Sequence, residues 1–257
     1  MSVTESQPMT FIPAATVVVF RRDPAGGPAQ LLMLERAGTM RFAGGAAVFP
    51  GGRIDASDHE LAAKIDHGLD GDDAAARIAA VRETIEEAGL VLAMQVPITP
   101  AQAAEARAML AGHGALAPVL ERFGWVPDLA RLHPWARWCP DWKGAFDTRF
   151  YLADLGTGTV EVSKDDTENS HLFWASAAEA MAMADRGEIS LIFPTLRNLE
   201  RLALSASFAE ARDYAAQFPI RTISPVRRVA DGVDLLSIPD DLGYPVMSEP
   251  IGNVRRG

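Results

Sequence analysis

The sequence is poor in several residue types, and each shortage excludes a class of protein. Its 257 residues include one cysteine, Cys139, which excludes an internal disulfide framework and a thiolate zinc site. Lysine is nearly absent, with Lys64, Lys143 and Lys164 alone, so arginine carries almost all of the positive charge. The formal net charge of −10 argues against a general nucleic-acid-binding surface.

Long apolar runs are lacking as well. No stretch approaches the ~20 apolar residues of a membrane span, and residues 1–10 lack the basic and apolar parts of a signal peptide. The last three residues, Arg255-Arg256-Gly257, carry no peroxisomal address. We therefore expect a cytoplasmic protein without membrane partners, with residues 1–10 as a flexible tail.

The remaining composition is that of a globular protein with a full core, since 48% of the residues are apolar. Alternating and β-branched segments predict strands, and capping boxes and apolar stripes predict helices. The predicted strands cover residues 14–21, 30–35, 90–96, 135–138, 146–155 and 171–174. The predicted helices cover residues 73–88, 99–111, 116–123 and 176–186, then one from Pro194 and an antiparallel neighbour at 208–218. Asp231-Gly232 predicts a tight hairpin near the end of the chain.

One stretch, residues 49–90, carries most of the chemical information. It opens with the turn Phe49-Pro50-Gly51-Gly52-Arg53, where glycines let the backbone approach a phosphate or metal closely. It closes with a helix on which Glu83, Glu86 and Glu87 share one face. Three adjacent carboxylates repel one another, and a hard divalent cation such as Mg²⁺ offsets that repulsion. Taken alone, the same pattern also fits a solvated acidic face.

The combined pattern resembles the Nudix box, G-x5-E-x7-R-E-U-x-E-E-x-G-U with U apolar. The residues that match its second half are Arg82, Glu83, Glu86, Glu87, Gly89 and Leu90. Gly52 matches the opening glycine, while Thr84 stands at a position that is usually aliphatic. Arg82 follows Gly52 by 30 residues, about twice the usual spacing, so residues 56–72 form an insertion within the box. Asp58 stands where the box has its first glutamate.

This resemblance implies a fold and a metal site. The fold is the Nudix α/β/α sandwich, an α/β fold with a mixed sheet between the box helix and the helix from Pro194, here with added helical segments. Glu83, Glu86 and Glu87, with the carbonyl of Gly51, would hold Mg²⁺ or Mn²⁺ ions. Arg82 would orient a glutamate through charge-assisted hydrogen bonds.

The segment before the box is similar to the signature of coenzyme A diphosphatases, and an insert within the box resembles the peroxisomal members of that group. The matching residues are Leu31, Leu32, Arg36, Arg41, Gly45 and residues 49–55. The resemblance implies substrate contacts from Arg36, Arg41, Phe49, Gly52 and Arg53. Alternatively, the two arginines Arg36 and Arg41 only solubilise a loop.

Glu168 precedes a strand that ends in Trp174, as a glutamate does in many Nudix proteins. In such relatives a glutamate of this region binds a further metal or acts as a base, which makes Glu168 a candidate catalytic residue. The alternative is an acid of a solvated loop.

The expected organisation is a single Nudix hydrolase domain at residues 11–257, as a monomer or a homodimer. The insertion at residues 56–72 is expected to be a surface excursion, because loop closure tolerates added length. A second, helical insertion at residues 97–134 would line a substrate pocket, fill space or form a dimer surface.

The resemblance implies metal-dependent hydrolysis of a nucleoside diphosphate linked to another group. Coenzyme A or acyl-coenzyme A is the first candidate, giving 3′,5′-ADP and (acyl-)4′-phosphopantetheine. ADP-ribose, NADH or another dinucleotide is the second candidate. A non-catalytic nucleotide-binding scaffold is the third, although such a scaffold has no need for the acid cluster.

Overall fold

A mixed eight-stranded β-sheet forms the centre of the fold. The computed structural model of the chain describes residues 11–36, 45–155 and 169–254. The strands of the sheet are β1 (Ile12–Arg21), β2 (Gln30–Arg36), β3 (Ala47–Val48), β4 (Gly51–Arg53), β5 (His133–Trp138), β6 (Phe146–Asp154), β7 (Asn169–Ala175) and β8 (Thr222–Ile223).

Strand β1 organises the sheet, because it pairs along both of its edges. It runs parallel to β6 from Ile12 to Phe20. On its other edge β2 pairs with the end of β1, and β4 pairs with its beginning, where Gly51 lies opposite Thr16. The glycine-rich turn is therefore built into the sheet rather than into a free loop. The predicted mixed sheet is confirmed.

Seven α-helices lie within the described residues. They are α1 (Ala56–Ala62), α2 (Gly71–Ala88), α3 (Pro100–His113), α4 (Ala117–Phe123), α5 (Ala177–Asp185), α6 (Phe193–Leu202) and α7 (Phe208–Ala215). They cover the two faces of the sheet, and each face has its own core. Successive residues of β1 contribute to the two cores in turn, because their side chains point to opposite sides of the sheet. Val17 packs with α2 in a first core, and Val18 packs with α6 in a second. The α/β/α sandwich is thus confirmed.

The box helix α2 begins at Gly71, two residues before its predicted start, and ends at Ala88 as predicted. The carboxylate of Asp70 caps its start by accepting hydrogen bonds from the backbone N–H groups of Asp72 and Asp73. At its end Gly89 adopts the left-handed conformation with φ of 68°, which is unfavourable for residues with a side chain. These caps fix the length of the helix that carries the three glutamates.

The insertion at residues 56–72 is not the surface excursion that its acidic sequence suggests. Its helix α1 packs on α2 and buries Leu61 and Ala62 in the first core. Asp58 is also buried, with 1% of its surface exposed. The prediction was wrong because it relied on the acidic residues of the insertion, whereas Leu61 and Ala62 among them pack against α2.

The helical segment at residues 97–134 also belongs to the first core. Thr99 and Gln102 form the predicted capping box at the start of α3, and α3 packs against α2. Its buried residues include Ala106 and Leu110, and Val119 of α4 joins the same cluster. Filling the core is therefore one structural role of this segment.

One local prediction was wrong. Residues 90–96 form no strand beyond a single bridge between Met94 and Pro127. The alternation there reflects the burial of Leu90, Leu92 and Met94 in the first core rather than sheet pairing. Helix α7 packs against β5 and β6, and the guanidinium carbon of Arg201 on α6 lies 5.8 Å from the ring centre of its Tyr214, while α5 also packs beside α6.

A small second sheet of β9 (Val226–Ala230), β10 (Val233–Ser237) and β11 (Ser248–Pro250) follows the core. Its first hairpin turns at Asp231 and Gly232, both with positive φ, as predicted. Arg197 of α6 is 1% exposed and bonds Glu249 of β11 at 2.9 Å, which attaches this sheet to the sandwich. Within the described residues, no helix is long and apolar enough to cross a membrane.

Candidate active site

The buried guanidinium of Arg82 is the centre of a polar cluster at the end of α2. It donates to both carboxylate oxygens of Asp58, at 3.1 and 2.9 Å. Its Nη1 donates to Glu83 at 2.9 Å and to Glu86 at 3.2 Å, and its Nη2 also donates to the carbonyl of Arg53. Burial alone would lower the pKa of Arg82, but these carboxylates raise it, so the residue stays charged.

The positive charge of Arg82 only partly offsets the effect of burial on two of the box glutamates, Glu83 and Glu86. Burial raises the pKa of Glu83 to about 7, although the positive charge of Arg82 opposes the shift. Burial also raises the pKa of Glu86, again against the attraction of Arg82. Their ionised forms are thus held in a partly desolvated place where a nearby cation would be stabilising.

The glycine turn lies directly against the glutamates. The backbone N–H of Gly51 donates to a carboxylate oxygen of Glu87 at 2.9 Å. A Cβ on Gly52 would come within 2.2 Å of the carboxylate of Glu83, so a side chain there would displace that carboxylate. A Cβ on Gly51 would meet the backbone oxygen of Ala15 at 2.3 Å. The structure therefore brings together the two halves of the box.

Asp58 does not share the surface of the three glutamates. Both of its oxygens bond Arg82, and one also accepts the N–H of Asp55 in the capping box of α1. Asp58 is consequently a partner of Arg82 rather than an open ligand.

Sequence reasoning missed Arg107 of α3, which contacts the carbonyl end of the box helix. Its guanidinium donates to the carbonyls of Glu86 at 2.9 Å and Glu87 at 3.3 Å. A cation at a helix C-terminus is favourable, because it meets the negative end of the helix dipole. Because Arg107 lies in a separate helical segment, nothing in the sequence of the box indicates this contact.

Thr84, at its unusual box position, is fully buried, and its hydroxyl donates to the carbonyl of Ala80.

The donor set fits a hard divalent metal ion in its chemistry. Glu83, Glu86 and Glu87 offer carboxylate oxygens, which Mg²⁺ and similar ions prefer, and burial disfavours their uncompensated charge. In the described part of the chain, no three acidic, histidine or cysteine side chains are already gathered as a metal site. Arg82 instead takes one oxygen each from Glu83 and Glu86.

Of the five residues expected to contact the substrate, the structure describes Arg36, Phe49, Gly52 and Arg53. Arg36 ends β2, and within the described residues its buried Nε has no hydrogen-bond partner. Arg53 is exposed beside the turn, with its guanidinium carbon 5.9 Å from the ring centre of Phe146. Phe49 is 3% exposed in the second core, so it has almost no surface to offer a substrate. Arg41 and Glu168 lie outside the described residues.

Comparison with known proteins agrees with this geometry. The family model described as the NUDT19 Nudix domain matches residues 62–202, which is more than half of the chain. The chain belongs to this family. The chain is also similar to a solved structure, a Nudix hydrolase from Alicyclobacillus acidocaldarius, with 31% sequence identity and a TM-score of 0.68. That match covers 80% of this chain and 97% of the other.

Two curated relatives of the same Nudix family are named acyl-coenzyme A diphosphatase NUDT19. The protein from Gallus gallus is 28% identical over 88% of this chain and 76% of its own length. The human protein is 29% identical over 81% of this chain and 68% of its own length. The coenzyme A diphosphatase resemblance read from the sequence is thereby confirmed as a family relationship.

Proposed function

We propose that this chain is a Nudix pyrophosphohydrolase that cleaves the diphosphate of coenzyme A or acyl-coenzyme A. The products would be 3′,5′-ADP and (acyl-)4′-phosphopantetheine. The main support is that Glu83 and Glu87 contact the Gly51-Gly52 turn. This contact brings together the two halves of the box. The names of the two curated relatives, which match along most of this chain, support the choice of substrate.

The glutamates would hold one or more Mg²⁺ or Mn²⁺ ions together with the carbonyl of Gly51. Bound ions of this kind neutralise diphosphate oxygens and lower the pKa of a water that attacks phosphorus. Arg82 would position Glu83 and Glu86 rather than touch the substrate, because its donors are already used by Asp58, the two glutamates and the Arg53 carbonyl.

Arginines around the glycine turn would neutralise the negative charge of the substrate. Arg36 has an unsatisfied buried donor, and a guanidinium fork suits the oxygens of a phosphate. Arg53 and Arg41 are further candidates. Glu168 remains a candidate for a further metal ligand or the base.

A substrate panel tests the proposal. Hydrolysis of coenzyme A, acetyl-coenzyme A, ADP-ribose and NADH would be compared as kcat/KM with Mg²⁺ and with Mn²⁺. We expect the two coenzyme A compounds to be cleaved most efficiently. Preferential cleavage of ADP-ribose or NADH would reject the substrate but keep the hydrolase. Tight nucleotide binding without turnover under either metal would instead indicate a binding scaffold.

A further inference from the structure

The last turn of the box helix α2 carries two acidic residues at the electrostatically unfavourable end of a helix. Glu86 and Glu87 lie among its last four residues, where the helix dipole presents its negative end. That turn contains no basic residue of its own. The backbone carbonyls of a last turn also lack partners within the helix. Both conditions favour a cation that another segment supplies.

Arg107 of α3 supplies this cation through one edge of its guanidinium. Its Nε donates to the carbonyl of Glu86 at 2.9 Å, and its Nη2 donates to the carbonyl of Glu87 at 3.3 Å. The neighbouring carbonyl of Ile85 accepts the N–H of Gly89. Because the guanidinium is planar and its donors are fixed relative to one another, a single side chain holds two successive peptide groups of α2.

The carboxylates of the same two glutamates are held by other elements. Arg82 donates to a carboxylate oxygen of Glu86 at 3.2 Å, and the backbone N–H of Gly51 donates to one of Glu87 at 2.9 Å. Each glutamate is therefore held twice, by its backbone from α3 and by its side chain from α2 or the glycine turn.

Helix α3 is a firm support for this contact. Ala106 immediately precedes Arg107, and Leu110 follows it by one helical turn. Both are buried in the first core, and α3 packs against α2. Arg107 thus transmits the packing of the helical segment to the backbone of the two glutamates.

We propose that Arg107 is a positioning residue for the metal site. It acts through the carbonyls of Glu86 and Glu87 and holds their backbone where both carboxylates meet a divalent cation. The inference rests on the proposed function, since it takes these glutamates as metal ligands. It gives the helical segment at residues 97–134 a role in the site besides filling the core.

The charge of Arg107 and its positioning contacts have opposite effects on metal affinity. A positive charge close to a cation site repels the cation, so removing the charge alone would tighten metal binding. Removing a group that orients metal ligands weakens binding, by about tenfold or more. The direction in which the Kd for a metal ion changes therefore separates the two roles.

Arg77 provides a matched control, because it makes the same kind of contact near the other end of α2. Its Nη1 donates to the carbonyls of Leu129 and Leu132 at 2.8 and 2.6 Å, so it also joins α2 to the helical segment. It precedes Glu86 by nine residues. That separation is about 14 Å along a helix, so Arg77 is remote from the glutamates.

The test is the Kd of the full chain for Mn²⁺ without substrate, measured from the electron paramagnetic resonance signal of the free ion. Arg107→Met should raise this Kd about tenfold. Arg77→Met should lower the unfolding temperature but change the Kd by no more than about twofold, as expected for a distant site. If Arg77→Met does not fold, Arg122→Met on α4 replaces it, since Arg122 is exposed and paired with Glu105.

An unchanged or lower Kd in folded Arg107→Met would overturn the positioning role. An equal rise in Arg107→Met and in the control variant would also overturn it, because the effect would then come from general loosening of the helical segment. Since no hydrolysis is measured, these outcomes do not depend on the substrate. Wild type that binds no Mn²⁺ would instead refute the metal site, and this inference with it.

Discussion

Asp58 of the insertion and Arg82 of the box helix form a doubly hydrogen-bonded ion pair with both side chains buried. The pair joins α1 to α2 at the point where Arg82 also holds Glu83 and Glu86. The insertion is thus linked to the orientation of the glutamates. The aspartate that stands in place of the first box glutamate has a structural partner of its own.

Breaking this pair should destabilise the protein strongly. Asp58→Ala leaves the buried charge of Arg82 with fewer partners, and loss of one member of a buried pair costs about 3 kcal/mol. We expect the free energy of unfolding, measured by urea denaturation, to fall by about that amount. Deletion of residues 56–72 should be at least as damaging, because it also removes Leu61 and Ala62 from the first core.

The matched control is Asp66→Ala, which removes an exposed acid from the same insertion. Its unfolding free energy should stay within about 0.5 kcal/mol of wild type, as for most surface changes. If Asp58→Ala were as stable as Asp66→Ala, the insertion would not be anchored through Arg82.

The box glutamates should be needed for turnover rather than for folding. Glu86→Gln and Glu87→Gln each keep side-chain size while removing a charge that would face a metal ion. We expect kcat to fall by ~10²-fold or more, as loss of a charge-stabilising group often causes. Steady-state kinetics at saturating Mg²⁺ measures this, with Glu105→Gln on α3 as a surface control. Near-normal turnover in both box variants would disprove the metal role.

Arg36 should distinguish substrates that differ in one phosphate. If its guanidinium contacts the 3′-phosphate, Arg36→Ala raises KM for coenzyme A more than for 3′-dephospho-coenzyme A. Arg36→Lys should restore little, because lysine lacks the planar fork. The comparison requires KM for both compounds with wild type and both variants. Equal losses on the two compounds would reject 3′-phosphate recognition by Arg36.

Glu200 should make stability depend on pH. Burial raises the pKa of Glu200 to about 7, against the attraction of Arg197 and with repulsion from Glu249. The folded state then binds a proton more tightly than the unfolded state, so the contribution of Glu200 to stability falls as pH rises from about 4.5 to about 7. We expect Glu200→Gln to gain in unfolding temperature relative to wild type across that range. A difference that stays constant or shrinks between pH 5 and pH 8 would contradict this.

The sequence predicted the elements that rest on local signals. The end of α2 at Gly89, the capping box at Thr99 and the hairpin at Asp231-Gly232 all follow from short-range chemistry. The grouping of the box glutamates on one face of α2 likewise follows from helical periodicity. Gly52 was expected near the site, and it lies so close to Glu83 that a Cβ there would come within 2.2 Å of the carboxylate.

What the sequence could not supply depends on contacts between distant segments. Arg107 reaches Glu86 from another helix, and Asp58 reaches Arg82 across the insertion, so neither contact leaves a local pattern. Residues 90–96 alternate like a strand, but tertiary burial rather than pairing explains the alternation. Phe49 lies beside the glycine turn in sequence, yet its side chain points into the second core.

The most direct measurement of the central claim is the identity of the products formed from acetyl-coenzyme A. Purified wild type and Glu87→Gln would be incubated with acetyl-coenzyme A and Mg²⁺, and the products analysed by mass spectrometry. The account predicts 3′,5′-ADP and acetyl-4′-phosphopantetheine with wild type, and at least ~10²-fold less of both with Glu87→Gln. Intact acetyl-coenzyme A after incubation with wild type, or equal product from both proteins, would contradict it.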